Sequence, residues 1–355
     1  MFASRPYRVR IVALSTELTL LETIPDSLYA ELADLSDVTV FHTRGWHRLL
    51  QRSLSWPVHA LVGRGSGGSL TFFLPFVTKR RMGRKINVCL PLSHEIGPAH
   101  AAALDLQDIK PQAALWPLEI HAATALRGMV PASHHLVTRL DLRGIDEETT
   151  LWKRLHSAKR RRIAAAEREG VRTYFSDAMA DYARFAELQV ITRRRQGAPG
   201  YPRDFFAVMA EELAPSGASR LFLAEHGGRL LGGVIFLHHG TAALYAYGAS
   251  VTDRDALRIG VNQAVMWEAI RAAWKDQCHQ VDFGSTPQGQ TELLRYKEQF
   301  GGVSQPLIHC YGSASGLPFD TPQDGTLARV GGVVLRHTPL PLFKLVSPIL
   351  LKLVI

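Results

Sequence analysis

The chain has 355 residues, more than one ordinary hydrophobic core serves, so two compact domains are expected. Apolar residues make up 46% and charged residues 21%, which excludes a disordered or fibrous chain. Lys and Arg outnumber Asp and Glu by 41 to 32, a net charge of +9; such a surface favours nucleic acid, anionic lipid or a phosphate-bearing substrate.

No zinc spacing, RNP box or helix-turn-helix pattern assigns the positive charge to nucleic acid. The three cysteines, Cys89, Cys278 and Cys310, lie far apart and form no CxxC pair, and an odd count fits a reducing cytosol. The N-terminus is basic without the apolar run of a secretion signal. No stretch reaches the roughly 18 apolar residues of a membrane span. A cytoplasmic protein, peripheral at the inner membrane at most, is expected.

In chain order, residues 25–35 read as a helical patch and 38–41 as a short strand. Trp46, Leu49 and Leu50 stand at helical spacing. Residues 58–62 and 70–77 are apolar runs around a glycine-rich turn, and Pro75 implies a bend or an edge there. A basic turn at 79–85 leads to a strand at 86–90. Residues 119–126 read as a helix and 134–142 as a strand. Residues 150–170 read as one helix ended by Gly170. Then come a strand at 171–175, helices at 181–195 and 203–213, and a three-strand meander at 220–225, 230–238 and 242–250. A long helix at 259–275, a strand at 280–283, a helix at 292–300 and a strand at 303–310 close the second half.

That order is the order of a GNAT core. The segments 159–170 (KRRRIAAAEREG), 192–197 (TRRRQG), 244–250 (LYAYGAS), 281–284 (VDFG) and 294–301 (LRYKEQFG) resemble the Fem-type branch of the GNAT N-acyltransferase superfamily. The likeness runs in register over about 145–311. The first half fits more loosely, through Phe41 and Trp46 and the stretch from Leu74-Pro75 to Gly83-Arg84. The resemblance implies an α+β fold of two tandem GNAT-like domains, with mixed, mostly antiparallel sheets flanked by helices. The expected division is 1–145, 146–312 and a linker with an amphipathic tail at 313–355. It further implies an acyl or aminoacyl transferase acting on an amine of a cell-envelope precursor, a peptidoglycan or exopolysaccharide unit that is often lipid-linked. Two other readings stand beside it: acyl-CoA-dependent N-acetylation of an exopolysaccharide sugar, and a catalytically silent membrane-associated scaffold.

Such chemistry is an amine attacking a thioester or ester carbonyl. The protein must hold the donor, stabilise the oxyanion and keep the amine unprotonated. In related folds the turn before the long helix grips the donor pyrophosphate, here residues 255–262 with Arg258, Gly260 and Asn262; a plain helix cap is the other reading. The full glycine-rich signature of acetyl-CoA enzymes is missing. That departure counts against acetyl-CoA; the expected donor is aminoacyl-tRNA or another activated acyl group such as an acyl-CoA, used as a substrate, with no tightly bound cofactor. By resemblance the aromatic-lysine pair Tyr296-Lys297 lies beside the transfer centre, where Lys297 can neutralise developing charge; an exposed helix lysine paired with Glu298 or Glu292 is the alternative.

Asp282 ends an apolar strand, where a carboxylate can orient an amine or take its proton, or close an Asx turn. Tyr245 and Tyr247 alternate along a strand and so share a face, toward a cleft or toward the core. Arg194, within the run Arg193 to Arg195, either clamps acceptor phosphates or serves the helix dipole. Lys159 to Arg162 is a second basic run, a solvated face or a contact for tRNA or lipid phosphate. The adjacent pairs His134-His135 and His238-His239 point to opposite strand faces, so no metal site is expected. In the tail, Arg329, Arg336, Lys344 and Lys352 punctuate Val, Leu, Ile and Phe, and Pro339, Pro341 and Pro348 interrupt it. A tail of this kind suits a bilayer interface or an apolar groove on the protein.

Overall fold

The computed structural model of the chain describes residues 17–81, 84–93, 96–101, 117–122, 129–251, 258–312 and 326–354. Strands β1 to β4 are Glu17–Leu21, His59–Arg64, Leu70–Arg81 and Arg84–Val88. They are followed by β5 Ala99–His100, β6 Leu118–Ala122 and β7 Val130–Asp141. The second half supplies β8 Arg172–Ser176, β9 Ser219–His226, β10 Arg229–His239, β11 Ala242–Ser250, β12 Gln280–Pro287 and β13 Val303–Gly312. The helices are α1 Asp26–Glu31, α2 Arg44–Leu54, α3 Glu148–Arg154, α4 Ser157–Arg168 and α5 Met179–Gln196, then α6 Phe205–Leu213, α7 Val261–Lys275, α8 Thr291–Glu298, α9 Thr326–His337 and α10 Leu340–Val354.

The architecture is the expected α+β class, a large mixed sheet with helices on its faces. The strand order is β1-β2-β3-β4-β6-β13-β7-β12-β11-β10-β9-β8, with β5 beside β3. Among the described residues only β4–β6 and β11–β12 run parallel. The order reads nearly the same from both ends: four antiparallel strands, then a parallel partner, then the central pair β13–β7. Strand β13, from the later half, sits between β6 and β7. Strand β7, from the earlier half, pairs with β12. Two like halves thus exchange a strand.

The meander carries the site, and its sequence alternates by face. Leu221, Leu223 and Ile235 pack on Phe185 and Leu188 of α5. Phe222, Val234 and Phe236 pack on the opposite face with Val265 and Trp267 of α7 and Ile163 of α4. Gly227 and Gly228 close the β9–β10 hairpin at φ +57° and +73°, the left-handed pair that a two-residue turn requires.

Four local expectations are corrected. Residues 38–41 are no strand. Val40–His42 is a 3-10 turn, because the Thr39 hydroxyl accepts the Phe41 amide and His42 Nδ1 accepts the Thr39 amide. The helix expected at 119–126 is strand β6 as far as it is described, since pairing with β13 and β4 overrides local propensity. Residues 123–126 lie outside the described residues. The single helix expected at 150–170 is two, α3 and α4. It breaks at Leu155, which is extended and buried, and His156 turns its amide to the Gln299 carbonyl (2.9 Å) and caps α4 with its ring. Pro75 does not lie at an edge of the sheet. It falls between the partners of one side, β5 at Phe73 and β4 from Val77, where no ladder amide is needed.

Candidate functional site

Strands β11 and β12 are parallel neighbours for three residue pairs, Ala242–Gln280 to Leu244–Asp282. Past Leu244 no ladder pair joins them among the described residues. Strand β12 leaves because it bulges: Gly284 takes φ +71° and the register against β7 slips between Asp282 and Ser285. Asp282 holds the bulge, its Oδ1 accepting the Gly284 amide at 2.6 Å and its Oδ2 accepting Arg139 Nε at 2.9 Å. Lys297 of α8 holds it from the other side. Its Nζ donates to the Gly284 carbonyl (2.9 Å), the Ser285 carbonyl (3.0 Å) and Thr286 Oγ1 (2.7 Å). Three ammonium protons meet three acceptors. Lys297 is 4% exposed, so neither the Glu292 nor the Glu298 pairing holds it. Burial lowers its pKa to about 8, while Asp282 pulls it upward.

Tyr245 and Tyr247 do not share a face. Phe236 pairs with Tyr245 and the next residue back, Ile235, pairs with Tyr247. Ala246 is therefore the extra residue of a bulge, and a bulge reverses the alternation beyond it. Tyr247 enters the α5–α6 side, edge-on to Tyr201, Phe205 and Phe206 with centroids 5.4–5.9 Å away, and burial raises its phenol well above its ordinary value. Tyr245 turns to the α4–α7 side. Burial raises its phenol to about 12. Its hydroxyl fills the space that a side chain on Gly248 would need.

Tyr296 closes the same side. Its ring lies 3.7 Å under Lys159 Nζ, which also stands 4.9 Å from Phe300. Lys159 is 5% exposed, and among the described residues its amine has neither an acceptor nor a carboxylate. Burial lowers it to about 8, with Arg162 adding to the shift. The two lysines differ in kind: Lys297 is spent on backbone and hydroxyl oxygens, and Lys159 is held only by aromatic faces. The sequence marks this. Lys159, Ile163 and Ala166 are the buried positions of α4, the i, i+4, i+7 stripe of a core face. The charge run at 159–162 masks that spacing.

The turn before α7 borders this region. Gly260 caps α7 at φ +89° and lies against the Arg162 carbonyl of α4, closer than any side chain allows. Arg162 in turn donates to the Arg258 carbonyl. Arg258 is exposed and Asn262 half-buried; residues 255–257 lie outside the described residues. The arginine run is bonded largely to carbonyls. Arg193 Nε donates to Pro199 O at 2.8 Å, Arg194 Nε to Thr338 O in the tail at 2.6 Å, and Arg195 Nη1 to Val251 O at 3.0 Å.

One cluster had no sequence signal, because it is made by register. His121 and His309 face each other across β6–β13 and stack at 4.0 Å, and His135 of β7 stacks on His309 at 4.8 Å. Glu119 Oε1 lies 3.0 Å from His121 Nε2, and ligand atoms of Glu119, His121 and His309 lie within 4.8 Å of one another. Stacked rings hold their lone pairs in parallel planes, whereas an ion needs them to converge.

A family model described as acetyltransferase (GNAT) domain matches residues 153–298. Residues 153–298 are a GNAT domain. It contains Lys159, Tyr245, the β11–β12 parting, the Asp282–Lys297 bulge and the turn before α7. Solved structures share the fold over most of the chain. FemX superposes with a TM-score of 0.63 at 13% identity, over 82% of this chain and 96% of that one. L-PGS from Bacillus licheniformis gives 0.52 at 9%, over 90% and 99%. A conserved protein of unknown function from Bacteroides thetaiotaomicron gives 0.52 at 9%, over 84% and 100%. At these identities the likeness is one of fold. No curated protein matches the chain. A GNAT domain brings an activated acyl donor and an acceptor amine together, so the chain carries the framework of an N-acyltransferase.

Proposed function

We propose that the protein is a Fem-type transferase that moves an acyl or aminoacyl group from an activated donor to an amine of a cell-envelope precursor. The observation that carries this reading is Lys159, a buried amine without an acceptor among the described residues, seated on the ring of Tyr296 beside Lys297. The donor's reactive end enters between Tyr245, Tyr296 and the bulge at Gly284. Its phosphates, of a CoA or of a tRNA, lie toward Arg258, Gly260 and Asn262 at the start of α7, where unpaired amides and the helix dipole favour anions. Lys159 meets negative charge on the bound donor. Lys297 and Asp282 act through the wall: they fix the bulge, so the carbonyl is presented in one geometry. The acceptor amine attacks that carbonyl, its new C–N bond replacing the C–S or C–O bond of the donor, and the amine's proton leaves as the thiol or hydroxyl forms. FemX and L-PGS share the fold, and the resemblance to Fem-type transferases favours a peptidoglycan or lipid-linked acceptor over a free metabolite. The units 1–145 and 146–312 are taken as the two GNAT-like halves, with β7 and β13 exchanged.

The donor is tested by native mass spectrometry of the full chain after challenge with a panel of acyl-CoA thioesters and with charged tRNA. Capture of a thioester makes it an acyl-CoA enzyme; capture of charged tRNA alone makes it an aminoacyl transferase. Capture of neither contradicts the proposal and favours the silent scaffold.

A further inference from the structure

The C-terminal hairpin is apolar on two faces, and only one of them is covered. Leu335, Phe343 and Leu351 are buried, Leu351 completely. Gly197 and Gly200 admit the hairpin to the end of α5: a Cβ on Gly197 would strike the Gly332 carbonyl, and one on Gly200 would lie 2.8 Å from Ser347 Oγ and 3.2 Å from the Phe343 ring. Arg194 holds Thr338, and Lys344 pairs with Glu187 at 2.6 Å. The hairpin is thus docked on the protein by its inner face.

Its outer face is not. Val330, Val333, Val334, Leu342, Leu345 and Ile349 are 49–70% exposed. Of the thirteen large apolar side chains that stand exposed among the described residues, eight belong to this hairpin. A contiguous aliphatic patch of this kind marks an interaction surface. Charge identifies the partner. Residues 326–355 contain Arg329, Arg336, Lys344 and Lys352 and no Asp or Glu. Apart from Lys344, which Glu187 of α5 already pairs, a second copy pressed on this face would oppose cation to cation with no acid on the hairpin to pair them, whereas an anionic lipid surface supplies both the apolar layer and the countercharge. No helix among the described residues is long and apolar enough to cross a membrane, and α10, at 15 residues, is about 22 Å long. The hairpin therefore lies flat.

We propose that the outer face of α9 and α10 seats the protein on an anionic bilayer surface. The run Arg193 to Arg195 links that surface to the candidate site. Arg194 holds the hairpin, and Arg195 holds Val251 at the end of β11. The donor cleft is thereby kept near the headgroup layer, where a lipid-linked amine is met. The docking itself does not depend on the identity of the donor.

The test is co-sedimentation of the full chain with vesicles of phosphatidylglycerol mixed with phosphatidylcholine, against vesicles of phosphatidylcholine alone. The variant is Leu345→Asp with Ile349→Asp, two exposed positions whose change leaves the thermal midpoint where it was. Binding to the anionic vesicles, weakened at least tenfold by the double variant and by high salt, is the expected result. Absence of vesicle binding, or binding that the variant leaves intact, overturns the proposal. So does a dimer in light scattering that the variant dissolves while vesicles are ignored, which would give the face to a second copy. None of these readouts involves donor capture, so the transferase reading stands or falls separately.

Discussion

Two lysines with similar titration carry opposite consequences. Lys297→Met removes one donor from two carbonyls and a hydroxyl, at about 1–3 kcal/mol for each acceptor left unpaired; chemical denaturation should show a marked loss of stability. Lys159→Met removes a buried charge that has no acceptor among the described residues. Relief of desolvation exceeds the lost cation–π contact of about 0.5–2 kcal/mol, so the variant should be as stable as the parent or more so, while donor binding is lost. The pH dependence follows from the same groups. Both folded pKa values lie near 8, below the ordinary lysine value of about 10.4. Between those limits the unfolded chain binds more protons, so stability rises with pH from about 8 upward. Urea midpoints at pH 7.5 and 9.5 measure the rise, and Lys159→Met should flatten it. Above about pH 10 the raised Tyr245 phenol works in the other direction, because the unfolded tyrosine ionises first.

At the scale of the element, bulges and turns decide the site. Gly260→Ala meets both a left-handed backbone and the Arg162 carbonyl. It should cost several kcal/mol or displace the start of α7, and titration calorimetry should show weakened donor binding. Elements with strong local signals were legible in the sequence: the meander, its glycine turn, α5 ending at Gly197, and α7. What was not legible depended on partners distant in sequence. Strand β6 is strand because β13 and β4 lie beside it, and Ala246 as a bulge is visible only against β10. For that reason the sequence alternation puts Tyr245 and Tyr247 on one face, and the bulge puts them on opposite faces. Lys297 and Asp282 were singled out from sequence, and the structure brings them to one bulge. Lys159 is legible in the i, i+4, i+7 spacing of α4's buried face, but stands among four charges in a row.

For the whole molecule, the exchanged strand sets the unit of folding. A chain ending at residue 145 has β6 and β7 without β13 between them, and a chain starting at 146 has β12 without β7. Exposed edges of this kind aggregate. Each half expressed alone should therefore be insoluble, and co-expression should return a soluble complex, as judged by size-exclusion chromatography. Contacts between helices reinforce the join: Arg52 of α2 pairs with Glu211 and Glu212 of α6 at 2.6 and 2.7 Å.

On the proposed function, the donor is held where β11 and β12 part, with Lys159 as its buried cation. The most direct measurement is the affinity of the captured donor for the parent chain and for Lys159→Met, each shown to be folded by its thermal midpoint. A loss of at least tenfold in a variant of undiminished stability is the predicted result. Equal affinity in the two proteins would contradict it and move the donor elsewhere on the molecule.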